Sequence, residues 1–177
     1  MIKNLLSEAL YLTNKIIMWL PLTILRIYWL KILGCKIGKQ VYIARNVEVR
    51  KAKNISIDNN TIINSKVLLD GRGGKLSIGR NVDIAQEVII WTESHDPHDD
   101  NHHTKDAPVS ISDHVWIGCR SMIMPGVSIG KGGIVAASAV VTKDVNSKEI
   151  VAGIPAKVIG KRRNNLKYTL NHYNYFK

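Results

Sequence analysis

Residues 109–141 read VSISDHVWIGCRSMIMPGVSIGKGGIVAASAVV, and an aliphatic residue returns every six positions, at Ile111, Ile117, Ile123, Ile129, Val135 and Val141. A second apolar residue two positions earlier makes triplets such as Val115-Trp-Ile117 and Val127-Ser-Ile129. Alternate side chains of a strand point to opposite faces, so each triplet reads in, out, in. Between triplets stand turn formers such as Pro125-Gly126 and Gly130-Lys131-Gly132, for which φ is preset or positive φ is tolerated. Short strands and tight corners at a six-residue period are the signature of a stacked parallel β-helix. A single coil cannot bury its inner face, whereas stacked coils bury a continuous aliphatic column and pair the strand edges.

Working outward, the same period runs through Ile37, Ile43, Val49, Ile57, Ile63, Leu69, Ile78, Ile84 and Ile90, with interruptions. Between Val49 and Ile57 the phase slips by two residues, which avoids turning Lys53 inward; three residues are inserted around Gly71-Arg72-Gly73-Gly74. Between Ile90 and Ile111 the excess over one repeat is fifteen residues. This polar insertion holds His95, His98, His102 and His103, four of the six histidines, with Asp96, Asp99, Asp100 and Asp106. Irregular insertions of that length in a compact domain are usually functional or disordered, so the chemistry is expected here. The expected organisation is a helical segment over 1–34, a β-helix over 35–160 with the loop 91–108 extruded, and a helical tail over 161–177. The helical segments stand where the open ends of the coil need covers.

A chain of 177 residues is expected to form one domain with a real core. Two cysteines, Cys35 and Cys119, are too few for a disulfide framework and are read as reduced thiols. The net charge of +11 implies an anionic partner. Nucleic acid is not the expected one: no zinc-finger spacing exists, Phe occurs once, and no basic helix carries base-reading residues. A phosphorylated cofactor or an anionic membrane accounts for the charge. In the first 33 residues Pro21, Arg26 and Lys31 interrupt the apolar run, which falls short of the roughly 20 residues a span needs. No small-residue cleavage site follows, so a signal peptide is not expected. Lys3, Lys15, Arg26 and Lys31 interleaved with Trp19, Tyr28 and Trp29 suit a helix pair at a membrane interface. The alternative is that these helices cap the domain or pack on a partner subunit. The expected location is cytoplasmic, peripheral at the inner face of the cell membrane.

Four stretches carry a resemblance: the repeats, Thr92-Glu-Ser-His95-Asp96, Val115-Trp-Ile117-Gly118, and Val141-Thr-Lys143-Asp144 with Val151-Ala-Gly153-Ile-Pro155-Ala156. Over residues 35–160 the chain resembles the hexapeptide-repeat acyltransferases. Within them it is most similar to the maltose and galactoside O-acetyltransferases and to the capsular and colanic-acid polysaccharide enzymes. The resemblance implies an all-β, left-handed parallel β-helix, a handedness opposite to the usual crossover rule and invisible to the period alone. It implies a homotrimer with sites between chains, and transfer of an acetyl group from acetyl-CoA directly to a hydroxyl of a sugar or polysaccharide acceptor. By resemblance His95 is the general base, and Asp70 and Asp96 bind substrate. Trp116, Gly118, Cys119, Ala137, Thr142, Lys143 and Lys157 border acetyl-CoA, and no metal is expected. An alcohol is a poor nucleophile at neutral pH; imidazole, with an unperturbed pKa of about 6.5, can accept its proton.

Trp116 is the out-facing residue of its triplet, so its ring needs a cover. The small residues Gly118, Cys119, Ala136, Ala137 and Ser138 would let a pantetheine arm lie close to the backbone. The Cys119 N–H is the expected oxyanion donor, and Lys143, Lys157, Lys161 and Arg162 the expected partners of the CoA phosphates. Out-facing Tyr42, Ile89, Trp116, Met122 and Ile134 are expected to be buried between chains, with His95 and Asp70 reaching one site from different chains. His98, His102 and His103 read as loop surface or substrate contacts. No counterpart of the maltose-type enzymes' helical sugar-binding segment is recognisable, which favours a surface-polysaccharide or lipid-linked acceptor. The rival readings are N-acetylation of an amino sugar, a metal site in the loop, and a non-catalytic β-helix scaffold. The loop's histidines and aspartates match no fixed ligand spacing. A scaffold would need neither an extruded His95 nor an out-facing Trp116.

Overall fold

The computed structural model describes the backbone of residues 2–171 and side-chain surroundings from residue 8 onward. After Cys35 the chain winds through three faces in turn. The first face holds Lys36–Ile37, Ile55–Ile57, Leu76–Ile78, Val109–Ile111 and Ser128–Ile129, all parallel. The second holds Tyr42–Ile43, Ile62–Ile63, Asp83–Ile84, Trp116–Ile117, Ile134–Val135 and Glu149–Ala152, closed by Lys157–Lys161 running antiparallel. The third holds Glu48–Arg50, Leu68–Asp70, Ile89–Ile90, Met122–Ile123 and Val140–Val141. The register stacks like residue on like. Ile43, Ile63, Ile84, Ile117, Val135 and Val151 form one column, and Leu69, Ile90, Ile123 and Val141 another. These residues are all buried, and each aliphatic side chain taken from water contributes about 1.5–3 kcal/mol.

Two of the three corners turn through left-handed backbone. Asn60, Asn81 and His114 (φ 59, 56 and 59) stack at the corner from first to second face, above Gly132 (φ 70). Their N–H groups donate to the preceding coil at Lys39 O, Asn59 O, Arg80 O and Asp113 O, at 2.9–3.0 Å. Glu87, Arg120 and Ser138 repeat the device at the second corner, donating to Ser65 O, Gln86 O and Cys119 O. Left-handed backbone costs a non-glycine residue about 1–2 kcal/mol, and the corner ladder offsets that cost.

All three irregularities of the repeat fall at the remaining corner, from third to first face, and they stack. The phase slip is a 3-10 turn, Ala52–Asn54, which buries Ala52 and leaves Lys53 exposed. Asn54 Nδ2 donates to Gly71 O at 2.8 Å and Lys51 Nζ to Arg72 O at 2.9 Å. Above them Gly73 N donates to Thr92 Oγ1 at 3.1 Å, and Thr92 Oγ1 to Asp70 O at 3.0 Å. Three insertions thus form one continuous ridge that ends in the histidine loop.

The N-terminal end is covered by α1 (Ile2–Trp19) and α2 (Thr23–Ile32), joined laterally by Trp29 Nε1 donating to Asn14 Oδ1 at 3.0 Å. Arg26 is fully buried. It donates from Nε to Ile43 O at 2.9 Å, from Nη2 to Thr23 Oγ1 at 2.8 Å, and to the Leu20 carbonyl. Arg26 therefore satisfies carbonyls at the end of the coil, which removes it from the expected set of interfacial cations. Tyr42, expected to face outward, is buried on the strand against which α2 packs. Among the described residues no helix is long and apolar enough to cross a membrane.

The expected C-terminal helix does not form over the described part of the tail. Lys157–Lys161 is a strand, residues 162–171 take no helical form, and residues 172–177 lie outside the described residues. The tail instead uses its polar groups on the first corner. Arg162 Nη1 donates to His114 O at 2.8 Å, Leu170 N to Asn81 Oδ1 at 2.9 Å, and Asn60 Nδ2 to Leu170 O at 3.1 Å.

Candidate active site

The histidine loop is built on a β-hairpin in which Glu93–His95 pairs antiparallel with Thr104–Asp106, His95 opposite Thr104. The residues between are held by their own aspartates. Asp96 Oδ1 accepts the His98 N–H at 3.0 Å, and Asp99 Oδ1 the Asn101 N–H at 2.7 Å. Asp99 Oδ2 lies 2.6 Å from His103 Nδ1. The Asn101 N–H and the His103 ring together hold the Asp99 carboxyl below the usual carboxylate range. Asp96, expected on substrate, thus has one oxygen committed to the turn.

His95 is exposed, and its Nδ1 stands 3.0 Å from the carbonyl oxygen of His102. A carbonyl only accepts, so Nδ1 carries the hydrogen and Nε2 is left with its lone pair. The two rings stack with centroids 3.9 Å apart and planes 5° from parallel. His102 has φ 55, a conformation in which His is enriched among non-glycine residues. His102, expected as loop surface or a substrate contact, is the residue whose carbonyl and ring hold the orientation of His95.

The cleft beside His95, about 320 Å³, is lined by Arg72, Trp91, Glu93, Ser94, His95 and Met124. Asp70 is not on its wall. It is fully buried, accepts from Arg72 N at 3.2 Å and Arg72 Nε at 2.9 Å, and takes the Thr92 N–H at 3.5 Å. Arg72 Nη1 reaches Glu93 at 3.0 Å. The hydrogen bond it donates to Asp70, with Glu93 beside it, holds the guanidinium still more firmly protonated. Its carbon lies 5.8 Å from the Trp91 ring centre, with Arg50 at 5.3 Å. Within the one chain, Asp70 therefore acts on this cleft through Arg72. Trp91 and Glu93 adjoin His95 in the loop itself, whereas Arg72 and Met124 carry no local signature in the sequence; only the stacking of coils brings those two to His95.

Of the residues expected at acetyl-CoA, Trp116, Gly118, Cys119 and Ala137 lie elsewhere on the prism. Trp116, on the second face, is 48% exposed. A Cβ on Gly118 would come 2.5 Å from Ala137 N, so this glycine is required by the stacking of coils rather than by a ligand. Cys119 and Ala137 stand at the corner from second to third face. The Cys119 N–H has no acceptor among the described residues, while its carbonyl accepts from Ser138 at 2.8 Å. Thr142 and Lys143 stand at the corner of the hairpin, and Lys157 opens the last strand; all three are exposed. An open ring, a free N–H and an exposed small side chain fit the thioester arm, with exposed lysines for phosphates. Cys35 is unlike Cys119: burial pushes its thiol up to about 12, and Sγ donates to Ile55 O at 3.3 Å. Among the described residues no three His, Cys, Asp or Glu side chains are grouped to hold a metal ion.

A family model, the six-repeat bacterial transferase hexapeptide, matches residues 108–143. An Escherichia coli acetyltransferase named for colanic acid biosynthesis is 32% identical over 138 residues, 77% of this chain and 75% of that one. The Escherichia coli galactoside O-acetyltransferase is 32% identical over 127 residues, 70% of this chain and 62% of that one. Two fungal relatives, 42% and 39% identical, are matched over 56% and 44% of their lengths. Among solved structures, a hexapeptide-repeat acetyltransferase of Vibrio cholerae superposes with a TM-score of 0.78 at 30% identity, over 86% of this chain and 88% of that one. The same Vibrio protein has been seen with acetyl coenzyme A. The chain belongs to the hexapeptide-repeat acetyltransferases, and its coil is their left-handed parallel β-helix.

Proposed function

We propose that the protein transfers an acetyl group from acetyl-CoA to a hydroxyl of a sugar or surface polysaccharide, with His95 as general base. The observation that carries this reading is the bond from His95 Nδ1 to the His102 carbonyl. It leaves Nε2 as a proton acceptor in a cleft large enough for a sugar ring. Acetyl-CoA supplies the activated carbonyl. His95 Nε2 takes the proton of the acceptor hydroxyl as its oxygen attacks that carbonyl, then returns the proton to the departing thiolate, so the ring ends as it began. The Cys119 N–H is suited to hold the oxygen charge that develops between these events. Arg72, clamped by Asp70 and Glu93, and the Trp91 ring beside it orient the acceptor.

The site is completed between chains. His95 and Cys119 belong to different corners of the prism, with the whole third face between them. A closed three-fold ring lets the hairpin corner of one chain meet the second corner of the next. The reading is tested by following thiol release over a panel of acceptor glycans and asking whether the acetyl group formed is an alkali-labile ester. An alkali-stable amide would convert the reading to N-acetylation.

A further inference from the structure

We propose that the two clefts flanking α1 bind a long-chain lipid phosphate or diphosphate, whose attached glycan reaches the His95 cleft. The glycan end rests on the function proposed above; the lipid end rests on different residues.

The first cleft, about 620 Å³, opens between α1 and the first coil, with Tyr11, Ile16, Met18, Trp19 and Val47 on its walls. The second, about 580 Å³, shares Tyr11, Asn14 and Glu48 with the first and continues along the chain to Arg50, Lys51 and Lys53. Both volumes lie in the range of small-molecule sites. Charge along the pair is one-sided: Arg50 pairs with Glu48 at 2.7 Å, and Lys15, Lys51 and Lys53 add three further cations among the described lining residues. Apolar walls that lead into a cluster of cations match an alkyl or prenyl chain that ends in phosphate.

The cationic end stands directly over the active-site ridge. Arg50 stands next to Asp70 in strand register on adjacent coils, its guanidinium lies 5.3 Å from the Trp91 ring, and Lys51 Nζ donates to Arg72 O. Adjacent coils are separated by about 4.8 Å, so the step from Arg50 to the hairpin coil is roughly 10 Å, the reach of one phosphate-linked hexose. The other end opens beside apolar residues of α1, where Trp19 is 62% and Ile16 53% exposed. A patch of that kind, where among the described residues no helix is long and apolar enough to cross a bilayer, suits the surface from which such a lipid would enter.

The test is equilibrium binding of the full chain to three probes below their aggregation thresholds: a fifteen-carbon prenyl diphosphate, the matching prenyl alcohol and inorganic diphosphate. The diphosphate lipid should bind at least tenfold more tightly than either fragment. Lys15→Ala with Lys53→Ala should weaken it at least tenfold without lowering the thermal midpoint. Equal affinity for lipid and alcohol, equal affinity for lipid and inorganic diphosphate, or indifference to both substitutions would overturn the proposal. So would binding to phosphatidylglycerol vesicles that an excess of the prenyl diphosphate fails to displace. Lipid binding without acetyl transfer to any glycan would keep this site and remove the proposed function. Acetyl transfer without lipid binding would do the reverse.

Discussion

His95 and His102 face each other across the turn of the hairpin, ring on ring at 3.9 Å, and the carbonyl of one holds the ring nitrogen of the other. The arrangement depends on the main chain of His102 more than on its side chain. His102→Asn, which keeps both the carbonyl and tolerance of positive φ, should retain activity within about fivefold. His102→Val, whose β-branched side chain disfavours φ 55, should lose about tenfold or more. Steady-state rates of the two variants at saturating acetyl-CoA decide the matter; equal losses would mean that the ring itself is what counts.

Arg72 is the partner that makes the burial of Asp70 tolerable. Arg72→Ala leaves a fully buried carboxylate without its cation and should cost on the order of 3 kcal/mol of stability. Asp70→Asn leaves a guanidinium that is 39% exposed and can be hydrated, so it should cost less. Urea midpoints rank the pair; the reverse order would contradict the ion-pair account.

Gly73 sits where the second insertion supports the third. A Cβ there would overlap the Thr92 carbonyl, which carries the hairpin through its bond from Ala107 N. Gly73→Ala should therefore lower turnover at least tenfold by displacing His95, with the β-helix still folded by circular dichroism. Full activity in that variant would show that the hairpin is positioned by other contacts.

The columns of the β-helix were legible because each inward position is set by a period that the chemistry of turns cannot disguise. Ile111, Ile117, Ile123, Ile129, Val135 and Val141 all lie in the core. His95 and the cofactor-side residues were reachable through motifs. Arg72 and Met124 were not, because their proximity to His95 arises from stacking of coils whose separation in the sequence is set by the insertions. Asp70 illustrates the difference: sequence places it near a substrate, yet it ends a strand beneath Arg72 and never meets the cleft. The tail misled for another reason, since groups expected to pair within a helix find the exposed carbonyls of the first corner instead.

His114 gives a stability signature. Burial, the largest influence, lowers its pKa against the raising effect of Asp113, with Lys131, Arg162 and Arg80 adding repulsion, and Nδ1 has no partner. Tyr168 meets the ring edge-on at 5.0 Å. The unfolded chain takes up this proton at about pH 6.5 while the folded one resists it. The contribution is therefore present above pH 6.5 and lost as the pH falls through the lower folded value. The thermal midpoint should drop between pH 7.5 and 5, with a shallower slope in His114→Asn, which keeps tolerance of φ 59. Parallel slopes would exclude His114 as the source.

The proposed assembly, with sites completed between chains, is tested through His95 and Trp116. His95→Ala and Trp116→Ala chains, each weakly active, should regain activity on refolding together, since under random mixing about a quarter of all sites then hold both intact residues. No gain in confirmed mixed trimers would place the site within one chain.

The central claim is that His95 removes the acceptor proton, and the most direct measurement is single-turnover acetyl transfer by wild type and His95→Ala with acetyl-CoA affinity determined in parallel. The account predicts a rate lower by at least about a hundredfold with affinity for acetyl-CoA nearly unchanged. A rate within a few fold of wild type would contradict it.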